Sequence, residues 1–166
     1  MVYIFTATKT EAQALVEHFK LQKKENFFTN EMMQVHISGV GIENAYSYAK
    51  NLQPQISLED SVINIGIAAA PKQYAIGEIV TIKNVCFKDE ELIVSKEGEK
   101  LLTCKTPQKR YQETIVDMEG FGFAKVFAKY NFKIYKVISD HFEPENITKD
   151  GVKKLLKSAL LRIDIE

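Results

Sequence analysis

A chain of 166 residues, 45% apolar and 27% charged, suits one domain over residues 1–166 with a sizeable core. Lysine plus arginine equals aspartate plus glutamate at 22 each, so no global field recruits nucleic acid or an anionic membrane. No apolar run reaches the roughly 18 residues of a membrane span and no signal-peptide pattern appears, so a cytoplasmic protein is expected.

Val2–Thr6 reads as a buried first strand. Thr8-Lys9-Thr10-Glu11 then matches a capping box, with threonine at the N-cap and glutamate at N3. Ala12, Leu15, Val16 and Phe19 follow on one helical face. Glu11 therefore has two compatible readings, a helix cap and a carboxylate at the carboxyl end of strand one. Phe27–Asn30 and Met32–Ser38 read as the arms of a hairpin. Gly39-Val40-Gly41 next opens a helix at Ile42, a turn whose N–H groups can cradle an anion. It is not a dinucleotide fingerprint, because the third glycine and the later acid are missing. Ser61–Ile65 is another buried strand, running into the small-residue stretch Gly66-Ile67-Ala68-Ala69-Ala70-Pro71. Small side chains there allow either a ligand's close approach or plain close packing.

A long strand is expected from Ile76 to Phe87. Residues 88–112 are charged and weakly patterned, with strands only at Leu92–Ser95 and Leu101–Cys104, and no site is placed there. Thr114–Val116 reads as a strand and Asp117 as the cap of an apolar helix over 118–129, with Glu119 in its first turn. Asn131 breaks the pattern, and Ile134–Asp140 is the next strand. Strand, helix and strand make a βαβ unit, which implies neighbouring parallel strands. Ligands of open α/β sheets bind beyond the carboxyl ends of the strands, which would gather Met118, Glu119 and Asp140 on one rim. His141 follows in a loop and reads as a solvated group, and a closing helix carries Val152, Leu155, Leu156, Ala159 and Leu160. Cys86 and Cys104 form no metal or redox motif and read as reduced thiols. His18 and His36 share no metal spacing, so no metal and no cofactor is expected.

Several of these segments, in this order, resemble one family. Val116-Asp117-Met118-Glu119-Gly120-Phe121, followed after one helix by Ile138-Ser139-Asp140, is similar to the signature of the nucleoside phosphorylase/nucleosidase superfamily. Within it the resemblance is to the methylthioadenosine/S-adenosylhomocysteine nucleosidases. Ser38-Gly39-Val40-Gly41 with Asn44-Ala45, the small-residue run from Asn64 to Pro71, and Gly77-Glu78-Ile79-Val80 match further motifs of that family.

The resemblance implies an α/β fold in three layers, a mixed central β-sheet flanked by helices. It implies a purine nucleoside as the small-molecule partner and an N-glycosidic bond as the target. Carried to matching positions, it makes Glu11 the general base that activates water and Asp140 the acid at the purine N7. Glu119 would bind the ribose hydroxyls, Met118 would pack on the sugar, and Ile67 and the Ala69 N–H would border the ligand. Water is preferred over phosphate, since Thr6–Glu11 supplies no arginine and no glycine-rich loop.

The chain also departs from the pattern. Ile67 stands where the nucleosidases carry serine, Ala69 and Ala70 replace glycines, and Lys136 replaces an arginine, exchanging a bidentate fork for a point charge. The segment 88–112 is short and lacks the family's Ser-Gly-Asp with its base-stacking aromatic, so the purine pocket is open, reshaped or completed by a second subunit of a homodimer. The expectation is a hydrolase releasing adenine from methylthioadenosine, adenosylhomocysteine or a futalosine-like nucleoside. The alternative is a degenerate homologue that binds a nucleoside or a protein partner without turnover.

Overall fold

The structure is a computed structural model that describes residues 1–163 and Ile165. The first strand, β1 (Val2–Thr6), leads into α1 (Lys9–Phe19), and the expected hairpin forms as β3 (Phe27–Thr29) and β4 (Met33–Ile37) with a short β2 (Gln22–Lys23) outside it. After α2 (Ile42–Leu52), β5 (Ser61–Ala69) runs further than the sequence suggested, through the small-residue stretch itself. Then come β6 (Ile79–Phe87), β7 (Glu90–Ile93), β8 (Glu99–Thr103) and β9 (Ile115–Asp117). The chain closes with α3 (Gly120–Phe127), β10 (Asn131–Asp140) and α4 (Lys149–Leu160).

Alternation along the strands builds a core on each side of the sheet. Tyr3, Phe5, Val62, Ile134 and Ile138 face one way, onto Phe121, Phe123 and Phe127 of α3 and Ala45 and Ala49 of α2. Ile4, Ile63, Ile65 and Val137 face the other, onto Ala12 and Leu15 of α1 and Val152, Leu156 and Leu160 of α4. The result is the expected three-layer α/β architecture around a mixed sheet. Among the described residues no helix is long and apolar enough to cross a membrane. Both cysteines are free.

The central strand is β5, which has three partners. Its first half lies between β1 and β10, both parallel to it. The β1 ladder ends at Phe5–Asn64, and β5 continues alone on that edge until Ala69 meets Val116 of β9. From β10 the pairing passes to β6, β8 and β9 and so returns to β5, closing five strands into a ring. This overturns the expectation of a βαβ unit with adjacent parallel strands. β9 runs antiparallel to β5 whereas β10 runs parallel to it, so the two are not neighbours and point in opposite senses. The reason is occupancy: β1 and β10 already flank β5, leaving β9 only its last residue. Asn131 also does not break the chain's pattern; it opens β10, pairs with Ser61 and holds the Ser61 hydroxyl from its side-chain amide at 3.0 Å.

Helices α2 and α3 approach closely enough that a Cβ on Gly122 would lie 2.4 Å from the Ile42 carbonyl oxygen. Backbone on one side and helix on the other leave no flexible side chain to yield. Gly122→Ala is therefore expected to cost about 1–3 kcal/mol of stability by overpacking, read as a lowered midpoint in denaturant. An unchanged midpoint would mean the two helices separate freely.

Candidate active site

Where β1 leaves β5, the unpaired backbone needs other partners. Glu11 supplies them from the first turn of α1. Its Oε2 accepts the N–H groups of Ala7 (3.0 Å) and Thr8 (2.8 Å) and the Thr8 hydroxyl (3.0 Å), and its Oε1 accepts the Ile67 N–H across the split (3.2 Å). The Thr8 hydroxyl in turn accepts the Glu11 N–H, completing the capping box the sequence announces. Glu11 is thus a helix cap and a buried carboxylate, 3% exposed, at the carboxyl end of β1.

Beside it, Lys136 on β10 is paired in register with Gly66 on β5. A Cβ at Gly66 would sit 3.1 Å from Glu11 Oε1 and 3.4 Å from Lys136 Nζ, so the missing side chain is what admits both groups. Lys136 is 1% exposed, and its ammonium lies 2.8 Å from Asp117 Oδ2. Burial alone would lower its pKa, but Asp117, Glu119 and Glu11 outweigh burial and hold it above the ordinary lysine value. Asp117 also accepts the Thr103 hydroxyl (2.7 Å) and the Gly120 N–H (2.7 Å). It thereby caps α3 from a distance, as expected, while tying β8, β9 and β10 together.

Glu119 is not in the first turn of α3; it is the N-cap residue, and its side chain turns away from the helix. Its Oε1 accepts the Gly41 N–H at 2.8 Å. The glycine turn before α2, with Gly39 and Gly41 both at positive φ (88° and 101°), does present an N–H to an anion, and that anion is the chain's own carboxylate. Burial first, then Asp117 and Glu11, push the Glu119 carboxyl up to about 7 against the pull of Lys136 and the Gly41 N–H.

Asp140 ends β10. Its Oδ2 accepts the Glu143 N–H (3.0 Å), and its Oδ1 lies 2.6 Å from the Ser139 hydroxyl, which is also 3.2 Å from the Ala68 carbonyl. One hydroxyl proton between two acceptors suits either state of Asp140. Ser139 donates to the carboxylate, or takes a proton-bearing bond from the acid while donating to Ala68. His141 is half-buried rather than solvated, with Nδ1 bonded to the Ala70 carbonyl at 2.8 Å.

A cavity of about 600 Å³ joins these groups, lined by Glu11, Ile67, Ala69, Met118, Glu119 and Asp140. Every residue singled out from the sequence borders it. So do Thr106, Pro107 and Gln108, from the stretch where sequence reasoning placed no site, and Thr148, Lys149 and Val152 at the start of α4. Helical periodicity marks Val152 as a core residue only, and no motif marks the other five; the path of the chain brings them in. Among the described residues no group of histidine, cysteine and carboxylate side chains is arranged to hold a metal ion.

No family model matches this sequence, and no curated protein is similar to it. Solved structures are. A methylthioadenosine/S-adenosylhomocysteine nucleosidase (MTAN) from Chlamydia trachomatis is 25% identical, with a TM-score of 0.76 over 96% of this chain and 95% of that one. The corresponding nucleosidase of Streptococcus pneumoniae, solved with a transition-state inhibitor, is 15% identical, with a TM-score of 0.79 over 96% and 95% of the two chains. The futalosine hydrolase of Helicobacter pylori is 14% identical, with a TM-score of 0.76 over 98% and 97%.

Two measurements probe the charge arrangement. Since the folded Glu119 carboxyl titrates near 7 and an exposed glutamate near 4.5, the unfolded chain releases this proton first as pH rises. This contribution to stability is complete below about pH 4.5, falls on the order of a few kcal/mol as pH rises to 7, and is flat above. Glu119→Gln, close in shape to the protonated acid, should flatten that slope in denaturant melts from pH 5 to 8. Lys136→Met should cost about 3–5 kcal/mol by stranding Asp117 in the interior, and adding Asp117→Asn should return part of it.

Proposed function

We propose that this chain, which has the fold of the nucleoside phosphorylase/nucleosidase superfamily, is a cytoplasmic hydrolase that cleaves the N-glycosidic bond of a purine nucleoside. The observation that supports it best is the cavity bordered by Glu11, Glu119 and Asp140, whose carboxyl groups answer the charges that the reaction develops.

Breaking the bond between C1′ and the purine leaves positive charge on the sugar and negative charge on the departing base. Glu11 Oε2 is fully engaged with Ala7 and Thr8, whereas Oε1 holds only the Ile67 N–H and keeps a lone pair for water. Water oxygen attacks C1′ as Oε1 takes its proton. The bonding pair leaves with the base, and Asp140 supplies the proton that neutralises it at N7. Glu119, with Oε1 on Gly41, has Oε2 left for the ribose hydroxyls, and Met118 packs on the sugar. Products are the free sugar, its 5′ substituent intact, and free base. Buried carboxyl groups gathered at the reacting centre favour the cationic sugar of the transition state.

Hydrolysis is favoured over phosphorolysis because the Gly41 N–H of the glycine turn is already taken by Glu119, and among the described residues no arginine lines the cavity. Ile67 brings no hydroxyl to it, but its backbone holds Glu11, so the base keeps its position while the water has one helper fewer. That same isoleucine favours the second reading, a homologue that binds nucleosides without turnover. Within the enzyme reading, methylthioadenosine, adenosylhomocysteine or a futalosine-like nucleoside is the proposed substrate.

A nucleoside panel assayed for free base and ribose, with and without phosphate, separates these readings. Release that is independent of phosphate is expected. Asp140→Asn should lower kcat by about 10²- to 10⁴-fold with little change in KM, since an amide has no proton to give. Ile67→Ser should raise kcat, on the order of 10²-fold at most, and should do nothing in a Glu11→Gln background. Tight nucleoside binding by calorimetry with no product in any variant would establish the binding-protein reading instead.

A further inference from the structure

The segment between β8 and β9 is where the chain departs furthest from the resemblance, and it is pinned at both ends of the cavity. At its start the Cys104 N–H donates to the Asp117 carbonyl (2.8 Å). Toward its far end the Tyr111 ring meets Phe142 edge-on, with centroids 5.7 Å apart. Phe142 lies two residues beyond Asp140, is 4% exposed and has φ 67°, a left-handed backbone that aromatic residues seldom adopt. Surrounding structure therefore holds that ring in place, and Tyr111 docks on a fixed point. Residues 104–111 thus cross from Asp117 to the Asp140 end, and Gln108 lines the cavity on the way.

Most hydroxyl groups around the cavity are already engaged: Thr8 with Glu11, Ser139 with Asp140, Thr148 with the Gly151 N–H. Gln108 is different. It is half-buried, and its Nε2 donates to the Thr106 carbonyl at 2.9 Å. A carbonyl can only accept, so this bond fixes which end of the amide is nitrogen. Among the described residues the amide oxygen then has no partner, and one N–H is left over.

We propose that Gln108 is the specificity-determining residue of the base subsite. Its amide oxygen accepts from the exocyclic amino group of a 6-aminopurine, and Pro107 gives the base an apolar wall. This rests on the nucleosidase reading above. A glutamine amide matches the donor and acceptor pair of adenine, whereas a 6-oxopurine would set its oxygen against the amide oxygen. With Nε2 on the Thr106 carbonyl, the amide turns its oxygen rather than its nitrogen to the base.

The test compares kcat/KM for 5′-methylthioadenosine and its 6-oxo counterpart, 5′-methylthioinosine, in the wild type and in Gln108→Leu. The wild type should prefer the 6-amino substrate, and the variant should lose about 10- to 100-fold of that preference, by a loss on the 6-amino substrate and relief of the oxygen–oxygen repulsion on the 6-oxo one. A preference unchanged by the substitution, an equal loss on both substrates, or a wild type without preference would each overturn the proposal. If the wild type cleaves no nucleoside, the hydrolase reading fails by itself. Calorimetry with adenine and hypoxanthine then decides on Gln108: a preference abolished in Gln108→Leu upholds the assignment. A preference that survives, or no binding of either base, overturns it.

Discussion

A lysine ammonium with 1% of its surface exposed dictates much of what surrounds it. Removing such a charge from water is tolerable only with a carboxylate in contact and further opposite charge nearby. Asp117 provides the contact at 2.8 Å, and to do so β9 must deliver its last residue beside the middle of β10. That requirement is met by the closed ring of strands rather than by a flat sheet. Asp117 also accepts from Thr103 and Gly120, so the residue that pairs with the lysine helps set where β8 ends and α3 begins.

The second constraint is the parting of β1 from β5. Beyond Asn64 the central strand loses its parallel neighbour and gains β9 only at Ala69. Ile67 and Ala68 of this interval line the cavity, and Glu11 closes the gap by joining the N–H groups of residues 7 and 8 to that of Ile67. Gly66 has to lack a side chain for this to happen, because Glu11 and Lys136 converge on its face. Completing the backbone on both sides of the split therefore falls to one carboxylate, whose orientation is fixed by bonds the fold needs in any case.

Glu11, Asp117, Glu119 and Asp140 all line this cavity, and their placement rather than their number sorts their uses. Asp117 is turned inward to the lysine, Glu11 is spread over main-chain donors, and Asp140 is coupled to a hydroxyl that serves either of its protonation states. Glu119, held by a single N–H and crowded by Asp117 and Glu11, has its carboxyl pushed up to about 7, chiefly by burial. Environments that differ this much let neighbouring acids do different work at one pH.

Local chemistry was readable from the chain directly. The capping box at Thr8–Glu11, the hairpin around Asn30, the strand ending at Asp140 and the apolar helix after Asp117 depend on residues within a few positions of one another. The set Glu11, Met118, Glu119 and Asp140 came from motif order, and the structure brings all four to one cavity. Tertiary structure decided the rest. That β9 opposes β10, that Glu119 answers the Gly41 N–H, that Lys136 seeks Asp117, and that Gln108 reaches the cavity all join residues distant in sequence. Such pairings follow from which strand edges are already occupied and from where a buried charge can find its opposite. Both are properties of the assembled sheet, whereas propensity and spacing act only along the chain.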